Sequence, residues 1–270
     1  MRAETIARVA RLYPFLSGCG TFANQPLLDM VAGRPKGDSW ANVEGGKLSV
    51  SLDDYVGRAA FFVGDLDRKI SAIIDRFVRS GDTALDIGAN IGLVTLRLSK
   101  RVGPAGAVHA FEPNPAIADR LRASLDRNDI FNVQLHQVAL GVAEDTLTLS
   151  IPEGNAGAAS FLHHRGTSID VPVKRLDDFG LRPSFIKIDV EGFEDQVLKG
   201  FSETLRTHPP RVILFEQNDA KGRSIELLRE AGYQIHGVAK SLLKLRLKPV
   251  SAWSTDFHDY VATYGCGAST

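Results

Sequence analysis

From residue 80 onward, short β-branched and apolar runs alternate with stretches of helical period, and this alternation constrains the fold more than any other feature of the chain. Such a pattern builds parallel strands joined by crossover helices. The expected strands are Thr83 to Ile87, Ala107 to Phe111, Asn132 to Val138, Phe185 to Ile188 and Arg211 to Phe215, each nearly continuously apolar, as strands covered on both faces are. Between and before them, helical spacing appears in Ile70, Ile73, Ile74, Phe77 and Val78, which predicts a helix over Asp67 to Arg79. Ile117, Leu121 and Leu125 mark a second helix, and Phe193, Val197, Phe201 and Leu205 a third. Alternation in TLTLSI and IDVPV brackets a Gly- and Ala-rich segment, so Asp145 to Val173 reads as a hairpin-flanked loop. Tyr233 to Gly237 and His258 to Thr263 read as late strands close enough to pair antiparallel.

Residues 1 to 64 lack a core of domain size and are expected to be an extension packed on a domain of residues 65 to 270, covering its acceptor side. The first stretch is basic and partly apolar, but Arg8 and Arg11 interrupt it, so it reads as an amphipathic helix and not as an export signal. With 32 basic and 32 acidic residues the net charge is zero, which removes the broad positive field that nucleic-acid binding needs. Cys19 and Cys266 are too few for a disulfide framework and have no zinc-type spacing, so they are expected to be inert and the protein cytoplasmic. No apolar run approaches the roughly 18 residues of a membrane span.

The strongest chemical signal is TALDIGANIG, residues 83 to 92, where a strand ends in Asp86 and turns through Gly88, Asn90 and Gly92 into a helix. A dinucleotide fingerprint needs glycine at its first, third and sixth positions, but counting from Gly88 gives Asn90 and Leu93 at the later two. An acid before the first glycine repels a pyrophosphate and suits an ammonium group with hydroxyls, as in the amino-acid end of S-adenosylmethionine. Glu112, at the end of the next strand in HAFEPNP, can accept both hydroxyls of a ribose. Pro113 and Pro115 then stop that strand and open a helix.

DIGANIG, VHAFEPNP, VPVKRLDDFG, FIKIDVEGFEDQVLKG and RVILFE, in this order over about residues 60 to 217, resemble the FkbM-type methyltransferases. The resemblance implies a Rossmann-like α/β class I methyltransferase fold, a seven-stranded sheet with one antiparallel strand, and S-adenosylmethionine as methyl donor. It implies O-methyl transfer to sugars or natural products. Asp86, Gly88, Asn90 and Gly92 match the donor loop, Glu112 the ribose acid, and Asp189, Glu191 and Gly192 the motif after a later strand.

FIKIDVEGFE places Lys187 and Asp189 at the end of an apolar strand, with Glu191 just after it. Burying those charges without function is costly, although an ion pair of Lys187 with Asp189 or Glu191 that fixes the turn is the plain alternative. A carboxylate there can take or orient the proton of an attacking hydroxyl, with Asp189 the first choice. Glu216, Gln217 and Asn218 follow the next strand and with Asp189 offer oxygen ligands for a divalent metal, a rival activation scheme. His163 and His164 could act near neutral pH, and Ser160 and Phe161 could touch donor or acceptor. Gly154 and Gly157 mark Asp145 to Ser168, with the N-terminal extension, as a mobile lid whose ordering completes the acceptor pocket. The expected partner is a small-molecule or glycoside acceptor, with homodimerisation left open. N-methyl transfer and a non-catalytic donor-binding module are the alternatives.

Overall fold

The computed structural model describes residues 2–152, 159–162, 166–239 and 241–265. Helices α1 (Arg2–Ala10), α2 (Cys19–Ala23) and α3 (Pro26–Ala32) precede a hairpin of β1 (Asp38–Val43) and β2 (Gly46–Ser51), followed by α4 (Tyr55–Val63). The chain continues through α5 (Arg68–Phe77), β3 (Thr83–Ile87), α6 (Leu93–Val102), β4 (Ala107–Phe111), α7 (Pro115–Arg127) and β5 (Val133–His136). Next come β6 (Ala139–Leu140), β7 (Asp145–Ile151), β8 (Thr167–Lys174), β9 (Phe185–Ile188), α8 (Glu194–Lys199) and α9 (Ser202–Thr207). The last elements are β10 (Val212–Glu216), α10 (Ser224–Glu230), β11 (Gln234–Val238), β12 (Leu247–Pro249) and β13 (Asp259–Thr263).

The main sheet has the order β12-β11-β13-β10-β9-β3-β4-β5. Strands β10, β9, β3, β4 and β5 are parallel, and β13 lies antiparallel between β10 and β11. This is the expected Rossmann-like arrangement with one reversed strand, extended by the three-residue edge strand β12, which the sequence reading did not anticipate. Strand β12 holds only three pairs with β11, too short for an alternation signal. The alternation read in TLTLSI and IDVPV falls on β7 and β8, which pair antiparallel, while the pairing of β1 with β2 and the addition of β6 to form a separate sheet β6-β8-β7 were not anticipated.

Burial follows the two-face pattern predicted for the central strands. Leu85, Ile87, Ile186, Ile188 and Phe215 point into one apolar cluster, while Ala84, Val108, Phe185, Val212 and Leu214 fill the opposite one. A third cluster joins Ala7, Leu48 and Phe62 of the N-terminal segment to Leu96, Leu121 and Leu125 of α6 and α7. Each buried Val, Leu, Ile or Phe side chain among these contributes about 1.5–3 kcal/mol.

Most element boundaries move by one or two residues from the sequence reading, and two of the differences bear on the site. The apolar stripe Phe193 to Leu205 is broken into α8 and α9 at Gly200, where a Cβ would lie 1.9 Å from the Gly141 carbonyl oxygen. The strand expected at Arg211 to Phe215 is shifted by one residue, so Glu216 ends β10 and pairs in register with Asp259 at the start of β13.

Candidate active site

Strand β3 has β4 on one side and β9 on the other, so the chain order reverses at β3 and leaves a crevice at the carboxyl ends of the strands, where ligands of open α/β sheets bind. A cavity of about 230 Å³ occupies this place. Its wall includes Gly88, Asn90, Glu112 and Pro113 on one side, Lys187, Asp189 and Glu191 after β9, and Glu216 and Asp259 beyond. Asp65 and Asp67, just ahead of α5, complete it.

The loop after β3 is fixed by backbone contacts. The Gly88 and Ala89 amides both donate to the Phe111 carbonyl at 3.0 Å. Gly88 adopts φ +76°, and a Cβ there would lie 1.8 Å from the Asp189 carbonyl oxygen, so only glycine lets the loops after β3 and β9 touch. Asn90 is also left-handed, at φ 50°. Its amide donates to Glu112 Oε2 at 2.9 Å, and the Asn114 amide donates to Oε1 at 2.9 Å. Burial pushes the Glu112 carboxyl up to about 7, against the pull of these two amides. Each Glu112 oxygen keeps a lone pair for a hydroxyl in the cavity. Gly92 caps α6 at φ 96°, where a Cβ would press 2.3 Å from Leu121 Cδ1, so its role is packing under the loop.

Asp86 lies beneath this loop, fully buried and outside the cavity wall. Thr95 Oγ1 donates to its Oδ2 at 2.6 Å, and Lys187 Nζ stands 3.5 Å from its Oδ1, which has no hydrogen bond. The same ammonium lies 3.4 Å from Asp189 Oδ2 and donates to the Gly88 carbonyl at 2.8 Å. Burial works against the Lys187 charge, but Asp189 and Asp86 together hold its pKa above the ordinary lysine value. Burial drives the Asp86 carboxyl upward, with Lys187 opposing it. The ion pair anticipated as the plain alternative therefore exists, yet it does not consume Asp189, whose side chain is 47% exposed beside the cavity.

Glu191 adopts φ 53°, an uncommon conformation for a non-glycine residue. Burial and then repulsion from Asp189 push its carboxyl up to about 7. Burial, followed by repulsion from Asp189, pushes Glu216 up to about 8. Asp259 pairs with Lys69 at 3.3 Å, and Lys69 also lies 3.1 Å from Asp67. Burial raises Asp67 to about 6 despite Lys69, and it raises Asp259 as well. One side of the cavity is thus a wall of carboxyl groups, several poised to exchange protons near neutral pH, which general-base chemistry requires.

The rival metal set of Glu216, Gln217, Asn218 and Asp189 is not assembled by the geometry. The Gln217 amide is turned away, donating to the Gly222 carbonyl at 2.7 Å and accepting from the Ile225 amide at 3.3 Å. Asn218 Oδ1 lies 3.0 Å from His258 Nδ1. Among the described residues, no three His, Cys, Asp or Glu side chains converge to hold a metal. Ser160 Oγ donates to the Glu191 carbonyl at 3.2 Å, and Phe161 lines the cavity against Phe193 with ring centroids 5.0 Å apart. His163, His164, Gly154, Gly157 and Cys266 lie outside the described residues, and Cys19 is buried.

Sequence reasoning missed Thr95, Asp65, Asp67, Lys69 and Asp259. Asp67 looks like an ordinary helix cap, and it is one, accepting from the Lys69 amide at 2.9 Å. Thr95 lies nine residues after Asp86 with no motif to flag it, and Asp259 reaches the site only through the pairing of β13 with β10.

Residues 86–235, more than half of the chain, match the methyltransferase FkbM domain. The chain belongs to the FkbM methyltransferase family. It is 30% identical over 145 residues to methyltransferase 1 of Beauveria bassiana, covering 44% of this chain and 58% of that protein. It is 31% identical over 133 residues to the hexuronic acid methyltransferase AglP of Haloferax volcanii, covering 47% and 52%. The chain thus spans little more than half the length of these two curated relatives. A solved FkbM methyltransferase from Methylobacillus flagellatus superposes with a TM-score of 0.45 at 18% identity, covering 78% of this chain and 53% of that one. As an FkbM-type methyltransferase the chain uses S-adenosylmethionine, and the site suits it: a buried acid with free lone pairs and a glycine-tight loop share one cavity.

Proposed function

We propose that this FkbM methyltransferase acts on a hydroxyl oxygen of a small molecule, sugar or glycoside. S-adenosylmethionine, when bound, supplies an electrophilic methyl group. On this reading Glu112 takes the ribose hydroxyls, while Gly88, Asn90 and Pro113 line the rest of the donor side and Gly92 and Asp86 support it from below. Lys187 is a positioning residue, since its ammonium is engaged by Asp86, Asp189 and the Gly88 carbonyl. Asp189 is the proposed base, the best exposed carboxylate at the strand end, with Glu191 and Glu216 holding or relaying the proton beside it. The N-terminal 64 residues, through the segment leading to Asp65 and Asp67, cover the acceptor side.

The observation that carries the proposal is the meeting of Asp189, Glu191 and Glu216 at one cavity that also reaches Glu112. An alcohol needs its proton drawn away, and a carboxyl wall with pKa values raised toward neutrality suits that task. A relative named for hexuronic acid adds support for a sugar acceptor. The test is a screen of hydroxylated metabolites and sugars with methyl-labelled donor, the product's methyl position being read by mass spectrometry and NMR. Methyl on oxygen is expected, and methyl found only on nitrogen, with no alkaline requirement for a base, would replace this reading by N-methyl transfer.

A further inference from the structure

Residues 231 to 255 contain four Lys and Arg side chains and no acid, in a chain that carries 32 basic and 32 acidic residues in all. Within that stretch Leu245 and Leu247 are half-buried against the core of the sheet, while Lys244, Arg246 and Lys248 are exposed to solvent. None of these three cations has an acidic partner among the described residues. Immediately before them Leu242 and Leu243 are 56% and 72% exposed, although nothing in strand alternation requires two adjacent leucines to face water. The segment is a fixed part of the surface. The Leu16 amide donates to the Leu242 carbonyl at 2.8 Å, and Ser17 Oγ donates to the Ser241 carbonyl at 3.2 Å. The adjoining N-terminal stretch adds Leu12, 77% exposed, and is pinned by the Arg68 guanidinium, which donates to the Tyr13 carbonyl next to the Asp65 to Asp67 wall of the cavity.

We infer that Leu242, Leu243, Lys244, Arg246 and Lys248 form a docking face for the surface of an anionic lipid bilayer. Two leucines enter the interface while three cations meet the headgroups, the combination that peripheral attachment uses. The charge complementarity commits the face to lipid. A plainer role, shielding the short edge strand β12 from pairing with another sheet, explains Lys248 and Pro249 but leaves Leu242 and Leu243 exposed without a reason. Because the same face is tied through residues 12 to 17 to the cavity wall, docking would bring the acceptor entrance near the bilayer.

The test is cosedimentation of the full chain with vesicles of phosphatidylcholine alone and of phosphatidylcholine mixed with phosphatidylserine, at low and high salt. Binding to the mixed vesicles is expected, weakened by salt and absent with phosphatidylcholine alone. The Lys244→Gln, Arg246→Gln, Lys248→Gln triple variant should lose on the order of a hundredfold in partitioning. Leu242→Ser with Leu243→Ser should weaken binding while keeping its salt dependence. Thermal melting with and without S-adenosylhomocysteine checks that each variant folds. The inference is overturned by a parent protein that ignores the mixed vesicles, that binds both vesicle types alike, or that binds as tightly after both sets of substitutions. A triple variant that self-associates while the parent never binds lipid would assign the cations to edge shielding instead.

Discussion

Asp86 and Lys187 are register partners on the adjacent parallel strands β3 and β9, both buried, with the ammonium 3.5 Å from Asp86 Oδ1 and 2.8 Å from the Gly88 carbonyl oxygen. The pair couples the donor loop to the strand that carries Asp189. Removing one partner from a charge pair placed so deep leaves an uncompensated buried charge, and here one cation serves two carboxylates and a loop carbonyl.

Lys187→Met should therefore destabilise the fold by about 3–5 kcal/mol, the cost of leaving a buried charge without its partner. Denaturant unfolding checks this. The same variant should bind S-adenosylhomocysteine weakly even at temperatures where it is folded, because the Gly88 carbonyl has lost its donor. Normal stability would mean that the pair is not structural.

Stability should fall as pH rises through the neutral range. Glu216, Glu191 and Glu112 are raised by burial to about 8, 7 and 7 from an ordinary glutamate value of 4.5. Between 4.5 and these values the folded chain holds protons that the unfolded chain has released, so the slope of unfolding free energy with pH is negative there. The stabilisation is complete below about 4.5 and lost as pH passes through 7 to 8. Glu216→Gln should flatten the curve between about pH 5 and 8 in thermal melts across a pH series. An unchanged slope would show that Glu216 titrates normally.

Much of this architecture was legible in the residues. β3, β4 and β9 fall where short apolar runs bounded by turn signals put them, because runs of that length between turns are how strands buried on both faces read. Gly88, Asn90 and Glu112 were legible because turn geometry and a carboxylate at a strand end are local facts. Asp65, Asp67 and Asp259 were not, since they reach the cavity through tertiary pairing, Asp259 by facing Glu216 across β13 and β10. Asp86 carried a true signal with a different geometric outcome, an acid beneath the loop tied to Thr95 and Lys187 and not one on the cavity wall.

Asp189→Asn should lower turnover by about 10² to 10⁴ with little change in donor affinity, since it removes a proton acceptor and leaves the donor loop in place. Glu191→Gln should fall less, acting through the raised group beside Asp189. Single-turnover rates with labelled donor measure both. A chelator should leave the parent rate unchanged, and activity restored by Mg²⁺ or Mn²⁺ after chelation would favour metal activation with Glu216 as sensitive as Asp189.

Gly88→Ala should abolish S-adenosylhomocysteine binding, because a Cβ 1.8 Å from the Asp189 carbonyl oxygen must part the loops after β3 and β9. Thermal melting with added ligand checks it. A variant melting near the parent temperature and still shifted by ligand would show that the loops have room.

The division of the cavity into a donor side at Glu112 and a chemical side at Asp189 is tested most directly by calorimetric titration of S-adenosylhomocysteine into the parent, Glu112→Ala and Asp189→Asn proteins. Glu112→Ala should weaken binding by about 1.5–3 kcal/mol, the range for hydrogen bonds to a charged group, while Asp189→Asn binds as the parent does. Parent-like affinity in Glu112→Ala, or a loss confined to Asp189→Asn, would contradict the account.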